Sequence, residues 1–255
     1  MSKNYKNIEI KIENGIGVLT FNRPDQLNAM NRETMDEIID GIEEINSNNE
    51  AKVAVITGAG RAFMAGADIK EYGSQTPEQF KSFQQRGEAL YESIENAPKP
   101  WIAAVNGYAL GGGFEIALSC DMIVASEEAK MGLPEVFLSL VPGGGGTQRL
   151  IQKIGINRAK EILYTGGQYS AEALFDWGII NHVFEAKTFE DDTLRFAGKL
   201  TRRPSKAIKE LKRLAHLSLS HLPFNQRLAE ECKTVSELYY SEEAQKAIRD
   251  FIDKA

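Results

Sequence analysis

The chain has few of the residues that build metal sites, disulfide frameworks or catalytic triads. It contains two cysteines, Cys120 and Cys232, and three histidines, at positions 182, 216 and 221. None of them stands in His-Glu-x-x-His or Cys-x-x-Cys spacing, and no serine lies in a Gly-x-Ser-x-Gly elbow. These absences argue against a zinc enzyme and a serine hydrolase, and the two distant cysteines favour free thiols in a reducing compartment.

Long apolar runs and an excess of positive charge are also absent. No uncharged apolar run approaches the roughly 18 residues needed to span a bilayer, and residues 1–15 contain no apolar signal core. The formal net charge of −6 disfavours nucleic acid or an anionic membrane as the main partner. A composition of 42% hydrophobic and 26% charged residues is typical of a globular protein. We therefore expect a cytoplasmic protein that binds no membrane.

The order of predicted elements indicates an α/β fold. Alternating apolar positions predict strands, whereas apolar positions three and four residues apart predict helices. The predicted strands lie at 8–12, 18–21, 53–56 and 101–105, and the helices between them begin after the N-cap residues Asn31 and Thr76. Pro77 and Gln79 complete a capping box with Thr76. This alternation with short turns is typical of a layered α/β fold.

The end of the chain has a different character. From about Phe189 the periodicity is helical only, with Pro204 opening one helix and Ser241 capping the last. We therefore predict two parts, residues 1–190 and residues 191–255. A helical tail of this size makes a thin core alone, so we expect it to pack on the first part or on a neighbouring subunit.

Glycine is concentrated in two short stretches, Gly111–Gly113 and Gly143–Gly146. Neither continues as Gly-Lys-Ser/Thr, so neither is a phosphate-binding loop. The first stretch opens a predicted helix, whose unpaired N–H groups suit a developing negative oxygen. Glu115 lies one turn into this helix, on the same face as Gly112. Alternatively, these glycines only allow close helix packing and Glu115 is a solvated charge.

Three motifs, in this order, resemble those of the crotonase (enoyl-CoA hydratase/isomerase) superfamily, most closely its hydratases. They are FMAGADIK at residues 63–70, NGYALGGGFEIAL at 106–118, and Pro134-Glu135 followed by VPGGGGTQR at 141–149. The resemblance extends from Asn22-Arg23-Pro24 to the carboxyl-terminal helices. It implies a spiral of strand-strand-helix repeats over residues 1–190 and a helical trimerisation region over 191–255. Such proteins usually assemble as trimers or dimers of trimers.

The resemblance also implies roles for five residues. In the family, two backbone N–H groups bind the acyl thioester oxygen, and the matching positions are Ala67 and Gly112. The two hydratase carboxylates match Glu115 and Glu135. Our hypothesis is that Glu115 activates water as a base and Glu135 protonates the α-carbon. Gly143 matches the glycine whose backbone helps to hold the catalytic water.

Further contacts with an acyl-CoA substrate are predicted around these motifs. The predicted substrate-binding residues are Gln26, Leu27, Ala65, Asp68, Ile69, Gly111, Pro134, Gly143 and Lys254. Asp68 has an alternative interpretation as the cap of the turn after Ala67, because short acidic side chains bond well to local backbone. Ala65 and Ile69 could equally be core residues. Lys254 matches a family lysine that reaches the coenzyme A of a neighbouring subunit.

The sequence therefore predicts an enoyl-CoA hydratase that converts a trans-2-enoyl-CoA to a 3-hydroxyacyl-CoA without a metal or redox cofactor. Two alternatives within the superfamily are an isomerase, in which Glu135 alone moves the proton, and a specialised hydratase for branched or polyketide acyl groups. A third is a non-catalytic coenzyme A- or RNA-binding protein. The basic residues between Arg195 and Arg213 could form a solvated helix face or contact phosphates.

Overall fold

The structure, a computed structural model, describes residues 4–253 and divides the chain into two compact units, with the boundary between Arg202 and Arg203. The strands of the first unit are β1 (Ile8–Glu13), β2 (Ile16–Phe21), β3 (Val53–Gly58), β4 (Ala62–Met64), β5 (Trp101–Val105), β6 (Tyr108–Leu110), β7 (Met122–Ser126), β8 (Lys130–Gly132), β9 (Tyr169–Ser170) and β10 (His182–Phe184). Its α-helices are α1 (Arg32–Ser47), α2 (Ile69–Tyr72), α3 (Pro77–Glu95), α4 (Gly112–Ser119), α5 (Gly146–Thr165), α6 (Ala171–Asp176) and α7 (Phe189–Thr201), and short 3-10 helices span Pro24–Gln26 and Pro134–Leu138. The second unit contains α8 (Ser205–Leu217), α9 (Phe224–Tyr239) and α10 (Glu242–Ile252).

The larger sheet of the first unit is covered on both faces. Its strand order is β1-β2-β3-β5-β7-β10, with β1 antiparallel to β2 and the remaining neighbours parallel. Along β3, Ala54 and Ile56 point into the main core, whereas Val53 and Val55 point into a smaller core on the opposite face. Parallel strands covered on both faces need apolar side chains at every position. This explains why the central strands are short, continuous apolar runs.

The predicted helix starts are confirmed. Asn31 caps α1 by accepting a hydrogen bond of 2.8 Å from the backbone N–H of Thr34. Thr76 and Gln79 form the predicted capping box at α3, with reciprocal hydrogen bonds of 3.3 and 2.9 Å. Ser241 caps α10. Each cap satisfies backbone donors that the first turn of a helix leaves unpaired.

Helix α7 belongs to the first unit, so the compact division lies further along the chain than the predicted boundary at residue 190. Phe189 and Ala197 of α7 are buried in the smaller core, against the face of the sheet that presents Val53 and Val55. Helical periodicity shows that one face of α7 is apolar but does not show what covers that face. The boundary therefore depends on a tertiary contact that the periodicity alone does not reveal.

A second, four-stranded sheet in the order β4-β6-β8-β9 positions the glycine-rich helix start. Strands β4 and β6 are parallel, and Met64 pairs with Ala109. Helix α4 follows β6 directly and packs against β4 at Gly113, where a Cβ atom would lie only 2.1 Å from the carbonyl oxygen of Met64. Only glycine allows so close an approach between the helix and the strand. The amino terminus of α4 is consequently held beside the end of β4.

A buried asparagine organises the loop that flanks β4. Asn28 is 1% exposed and has a left-handed backbone conformation, with φ of 57°. Its side-chain amide donates hydrogen bonds of 3.0 and 2.7 Å to the carbonyl oxygens of Ala59 and Ala62, and its carbonyl oxygen accepts one of 2.8 Å from the Arg23 N–H. Buried polar groups need such partners, because unpaired ones lose their hydration without compensation. Asn28 therefore ties residues 23–28 to the turn before β4 and to the first residue of that strand.

We expect Asn28→Asp to destabilise the protein by about 3 kcal/mol. Aspartate fits the left-handed conformation and keeps the acceptor for Arg23, but it cannot donate to the carbonyl oxygens of Ala59 and Ala62. The midpoint of urea unfolding, followed by tryptophan fluorescence, measures the effect. Asn48→Asp is the matched control, because the Asn48 side chain serves only as an acceptor for Glu50 and Ala51. Equal midpoints for the two variants would contradict this account.

Candidate active site

A cavity of about 390 Å³ opens at the ends of β4 and β6 and brings together most of the predicted site residues. Both glutamates line it, Glu115 from the first turn of α4 and Glu135 from the 3-10 helix Pro134–Leu138. The other predicted residues in its wall are Ala65, Ala67, Ile69, Gly111, Gly112, Pro134 and Gly143. A concave site with a mainly apolar wall and a few convergent polar groups is the usual form of a small-molecule binding site.

The two predicted oxygen-binding amides follow the neighbouring strands β4 and β6, each at the same distance along the chain from a paired residue. Ala67 and Gly112 each lie three residues after the paired residues Met64 and Ala109 of β4 and β6. Gly112 is also the first residue of α4, so its N–H has no acceptor within the helix. The parallel register therefore carries both amides to the same edge of the small sheet, where both line the cavity.

The hydrogen bonds around Ala67 determine which way its own N–H points. Met30 donates to the Gly66 carbonyl oxygen at 2.8 Å and accepts from the Asp68 N–H at 2.9 Å, so the two residues flanking Ala67 are both bonded to Met30. In an extended segment, successive N–H groups point to opposite sides. The Ala67 N–H therefore points away from Met30.

Glu115 is a buried carboxylate that the backbone holds in place. Its side chain lies on α4, is 3% exposed, and accepts hydrogen bonds of 2.7 and 2.8 Å at Oε1 from the N–H groups of Gly144 and Gly146. Burial raises its pKa above the ordinary value, while these two amides, the charge of Arg149 and the hydroxyl of Tyr91 oppose the rise. The alternative in which Glu115 is a solvated charge is wrong.

Glu135 lies in a different environment. It is carried by the 3-10 helix Pro134–Leu138, and its Oε2 is buried with no hydrogen-bond partner among the described residues. Burial, together with the nearby charge of Glu115, raises the pKa of Glu135 to about 7. One carboxyl is thus held by backbone donors that favour its ionised form, whereas the other is poised to carry a proton near neutral pH.

Comparison with known proteins assigns the family. The model of the family described as enoyl-CoA hydratase/isomerase matches residues 11–255. The chain belongs to this family. It is 36% identical over 249 residues to a short-chain-enoyl-CoA hydratase of Clostridium acetobutylicum, covering 97% of this chain and 95% of that protein. It is 38% identical over 213 residues to a crotonyl-CoA hydratase of Syntrophomonas wolfei, covering 83% and 82%.

The fold of this enoyl-CoA hydratase/isomerase family member agrees with that of a solved relative. An enoyl-CoA hydratase from Bacillus anthracis superposes with a TM-score of 0.93 at 31% identity, covering 98% of this chain and 97% of that one. The predicted crotonase-like α/β fold with carboxyl-terminal helices is therefore confirmed.

Among the described residues, the remaining predicted substrate contacts of this family member lie outside the cavity. Gln26 and Asp68 line an adjoining groove that shares Ala65, Ala67 and Ile69 with it. Asp68 also caps α2, accepting a hydrogen bond of 3.3 Å from the Lys70 N–H, and it pairs with Arg23 at 3.2 Å. These contacts confirm its interpretation as a cap.

The two other predicted contacts are Leu27 and Lys254. Leu27 lines neither the cavity nor the groove, and its carbonyl oxygen accepts a hydrogen bond of 3.0 Å from the Ala65 N–H. That hydrogen bond holds the segment leading to Ala67 in place. Lys254 lies outside the described residues, so its role stays a prediction.

Three groups at the site were missing from the sequence prediction. Gly144 and Gly146 donate to Glu115, although only the whole glycine run was recognised as unusual. Tyr91 lies in the cavity wall beside Glu115, although its helical spacing marks it only as a core residue of α3. Burial and the charge of Glu115 raise the pKa of Tyr91 well above its usual value, so its hydroxyl stays protonated as a donor.

Two other types of feature are absent from residues 4–253. No cluster of three or more histidine, cysteine, aspartate or glutamate side chains with metal-binding geometry occurs there. Within the same residues, none of the helices is both long enough and apolar enough to cross a bilayer.

We expect Glu135→Gln to stabilise the protein more at pH 8 than at pH 4.5. Because folding raises the pKa of Glu135 from 4.5 to about 7, the folded chain binds more protons than the unfolded chain between these values, and stability falls as pH rises through this window. Glutamine has no proton to lose and escapes this penalty. Thermal unfolding midpoints at the two pH values measure the difference.

Glu128→Gln, on an exposed turn, is the matched control and should change the midpoint little at either pH. An equal gain for Glu135→Gln at pH 4.5 and pH 8 would mean that the Glu135 carboxyl is not desolvated by folding.

Proposed function

We propose that this protein is an enoyl-CoA hydratase that adds water to a short- to medium-chain trans-2-enoyl-CoA and forms a 3-hydroxyacyl-CoA. The observation that carries the proposal is the pair Glu115 and Glu135 in one cavity, where Glu115 accepts from two backbone N–H groups and Glu135 has a buried oxygen without a partner among the described residues. Hydration needs a base for the water proton and an acid for the α-carbon. Relatives named as short-chain-enoyl-CoA and crotonyl-CoA hydratases support it.

The amides of Ala67 and Gly112 serve as the donors for the thioester oxygen. Attack of water on the β-carbon moves electrons through the double bond and places negative charge on that oxygen. Fixed donors aimed at the oxygen stabilise the transition state more than the ground state, and one such donor is worth about 3 kcal/mol. Gly112 contributes in addition the positive end of the α4 dipole, because it is the first residue of the helix.

The two carboxyl groups carry out the proton transfers. Glu115 takes a proton from water while the water oxygen bonds to the β-carbon, and Glu135 gives its proton to the α-carbon of the resulting enolate. Exchange with solvent returns both groups to their starting forms. The net change is the addition of one water molecule, with no change in the number of electrons. We therefore expect the reaction to need no metal and no redox cofactor.

The surroundings of the cavity fit the two ends of an acyl-CoA. On one side, the aromatic ring of Tyr72 packs edge-on against Phe83, and together they bound an apolar space for the acyl chain. On the other side, the adjoining groove leads past Ala65 and Ile69 to a lining of mixed charge. Its cations, which can bind phosphate groups, are Lys6, Arg23 and Lys70, and its carboxylates are Asp25, Glu33 and Asp68.

We also propose that the protein forms a homotrimer or a dimer of trimers. The segment after Glu135 leaves large apolar side chains in solvent, with Phe137 72% exposed and Val141 76% exposed. Exposed apolar side chains clustered in one segment are typical of surfaces that bind a partner. The family resemblance supplies the expected symmetry.

The proposal is tested with Glu115→Gln and Glu135→Gln in a crotonyl-CoA hydration assay that follows loss of the conjugated absorbance. Each variant should lose at least about 100-fold in kcat, because glutamine neither accepts nor donates the proton. Glu128→Gln should stay within about twofold of wild type. Activity within tenfold of wild type in either active-site variant would contradict the role given to that residue.

The same variants distinguish a hydratase from an isomerase. An isomerase needs only one carboxyl to shuttle a proton, so Glu115→Gln would spare the turnover of 3-enoyl-CoA. We expect wild-type turnover of 2-enoyl-CoA to exceed that of 3-enoyl-CoA, and the reverse order would favour the isomerase.

Gly112→Pro tests the oxygen-binding amide. Proline is tolerated at the first position of a helix, but it has no N–H to donate, so we expect kcat to fall about 100- to 1,000-fold with α4 intact. Gly112→Ala keeps the N–H and is the matched control, since its Cβ would lie 3.4 Å from its nearest neighbours, which is an ordinary contact. Comparable losses in both variants would show that space, rather than the donor, matters at this position.

A further inference from the structure

A bidentate ion pair between Glu95 and Arg149 joins the end of α3 to the first turns of α5. It lies next to the glycine loop that donates to Glu115. Arg149 donates from Nε to Oε1 of Glu95 at 2.6 Å and from Nη2 to Oε2 at 2.8 Å. The Arg149 side chain is 14% exposed and that of Glu95 is 33% exposed. Such paired hydrogen bonds fix the orientation of the guanidinium group more firmly than a single contact does.

The third nitrogen of Arg149 reaches the glycine loop. Its Nη1 donates to the carbonyl oxygen of Gly144. Along the chain, this carbonyl lies between the N–H of Gly144 and the N–H of Gly146, which are the two donors to Glu115. Arg149 therefore holds the stretch of backbone that separates the two donors.

The loop conformation and the position of Arg149 depend on each other. Gly145 has φ of 88°, a left-handed conformation that favours glycine, and a Cβ atom there would lie 2.2 Å from Nη1 of Arg149. The guanidinium also lies over the ring of Tyr91, 5.6 Å from its centre. Arg149 thus contacts both the loop and the tyrosine that surround Glu115.

We propose that Arg149, oriented by Glu95, is a positioning residue for the hydration reaction: it fixes the glycine loop so that the Gly144 and Gly146 amides hold Glu115 in its base form. This inference rests on the proposed function for its kinetic consequence. Its structural part, the coupling of Arg149 to the protonation of Glu115, stands apart from the identity of the substrate.

Several charged or titratable groups face this cluster. Tyr91 of α3, Tyr72 of α2 and Glu135 of the 3-10 helix face Glu115, while Lys153 of α5 faces Arg149 and Glu95. The charge of Arg149 itself lowers the pKa of Glu115. A test must therefore separate the charge of Arg149 from its geometry. Arg149→Lys does so, because lysine keeps the positive charge but lacks the planar guanidinium group that donates two hydrogen bonds to Glu95.

We expect Arg149→Lys to lower kcat for crotonyl-CoA hydration by about tenfold while KM stays within about twofold. Loss of the ordered amides raises the pKa of Glu115, so the acidic limb of the kcat profile should move up by about one pH unit. Glu95→Gln should change both quantities in the same direction, with kcat falling about threefold. Arg86→Lys is the matched control. The distance from Arg86 Nε to Asp36 Oδ1 is 2.6 Å, and neither residue lines the cavity.

The titration of Glu115 is also measured directly, by carbon-13 NMR of labelled glutamate carboxyls with Glu115→Gln for assignment. This readout needs no substrate, so the inference can fail while the hydratase proposal stands, and the reverse also holds. A folded Arg149→Lys protein with an unchanged acidic limb and an unchanged Glu115 titration overturns the inference. If Arg149→Lys does not fold, a Glu95→Gln protein with wild-type values for both overturns it.

Discussion

The two hydrogen bonds from the glycine loop to Glu115 are the interaction on which the active site depends. A carboxylate loses its hydration when it is buried, and it remains ionised only where fixed donors replace the lost water. The amides of Gly144 and Gly146 provide that replacement. A backbone amide keeps its proton at neutral pH, so the carboxylate stays anchored as long as the glycine loop keeps its conformation.

Two side chains of the same type acquire different properties from their surroundings. Glu115 accepts from two amides, whereas Glu135 has a buried oxygen without a partner among the described residues and a negative neighbour. The difference arises from the elements that carry them: a helix facing a loop of amides in one case, and a short 3-10 helix in the other. An acid and a base can thus coexist in one small cavity.

The sequence predicted the elements whose signals are local. Buried apolar runs, the caps at Asn31 and Thr76, and the glycine-rich start of α4 are all evident from neighbouring residues, and the structure agrees. The short strands β4, β6, β8 and β9 have two or three residues each, too few for an alternating pattern to be recognised.

The site residues that belong to recognisable motifs were predictable from the sequence. The donors to Glu115 were less so, because they depend on the direction of individual backbone N–H groups. Which amide of residues 143–146 faces Glu115 depends on the left-handed turn at Gly145, which a run of four glycines does not reveal. Tyr91 has the spacing of a core residue and is one, so only the tertiary structure shows that its hydroxyl also borders the cavity.

The parallel register of β4 and β6 has a consequence for how the chemistry of this scaffold can diversify. The amides that we assign to the thioester follow those two strands, whereas the acid that we assign and the backbone donors to the base come from a later segment, residues 134–146. The base itself shares helix α4 with Gly112. Substitutions confined to the later segment can therefore change how the enolate is protonated while both oxygen-binding amides keep their places in the polypeptide.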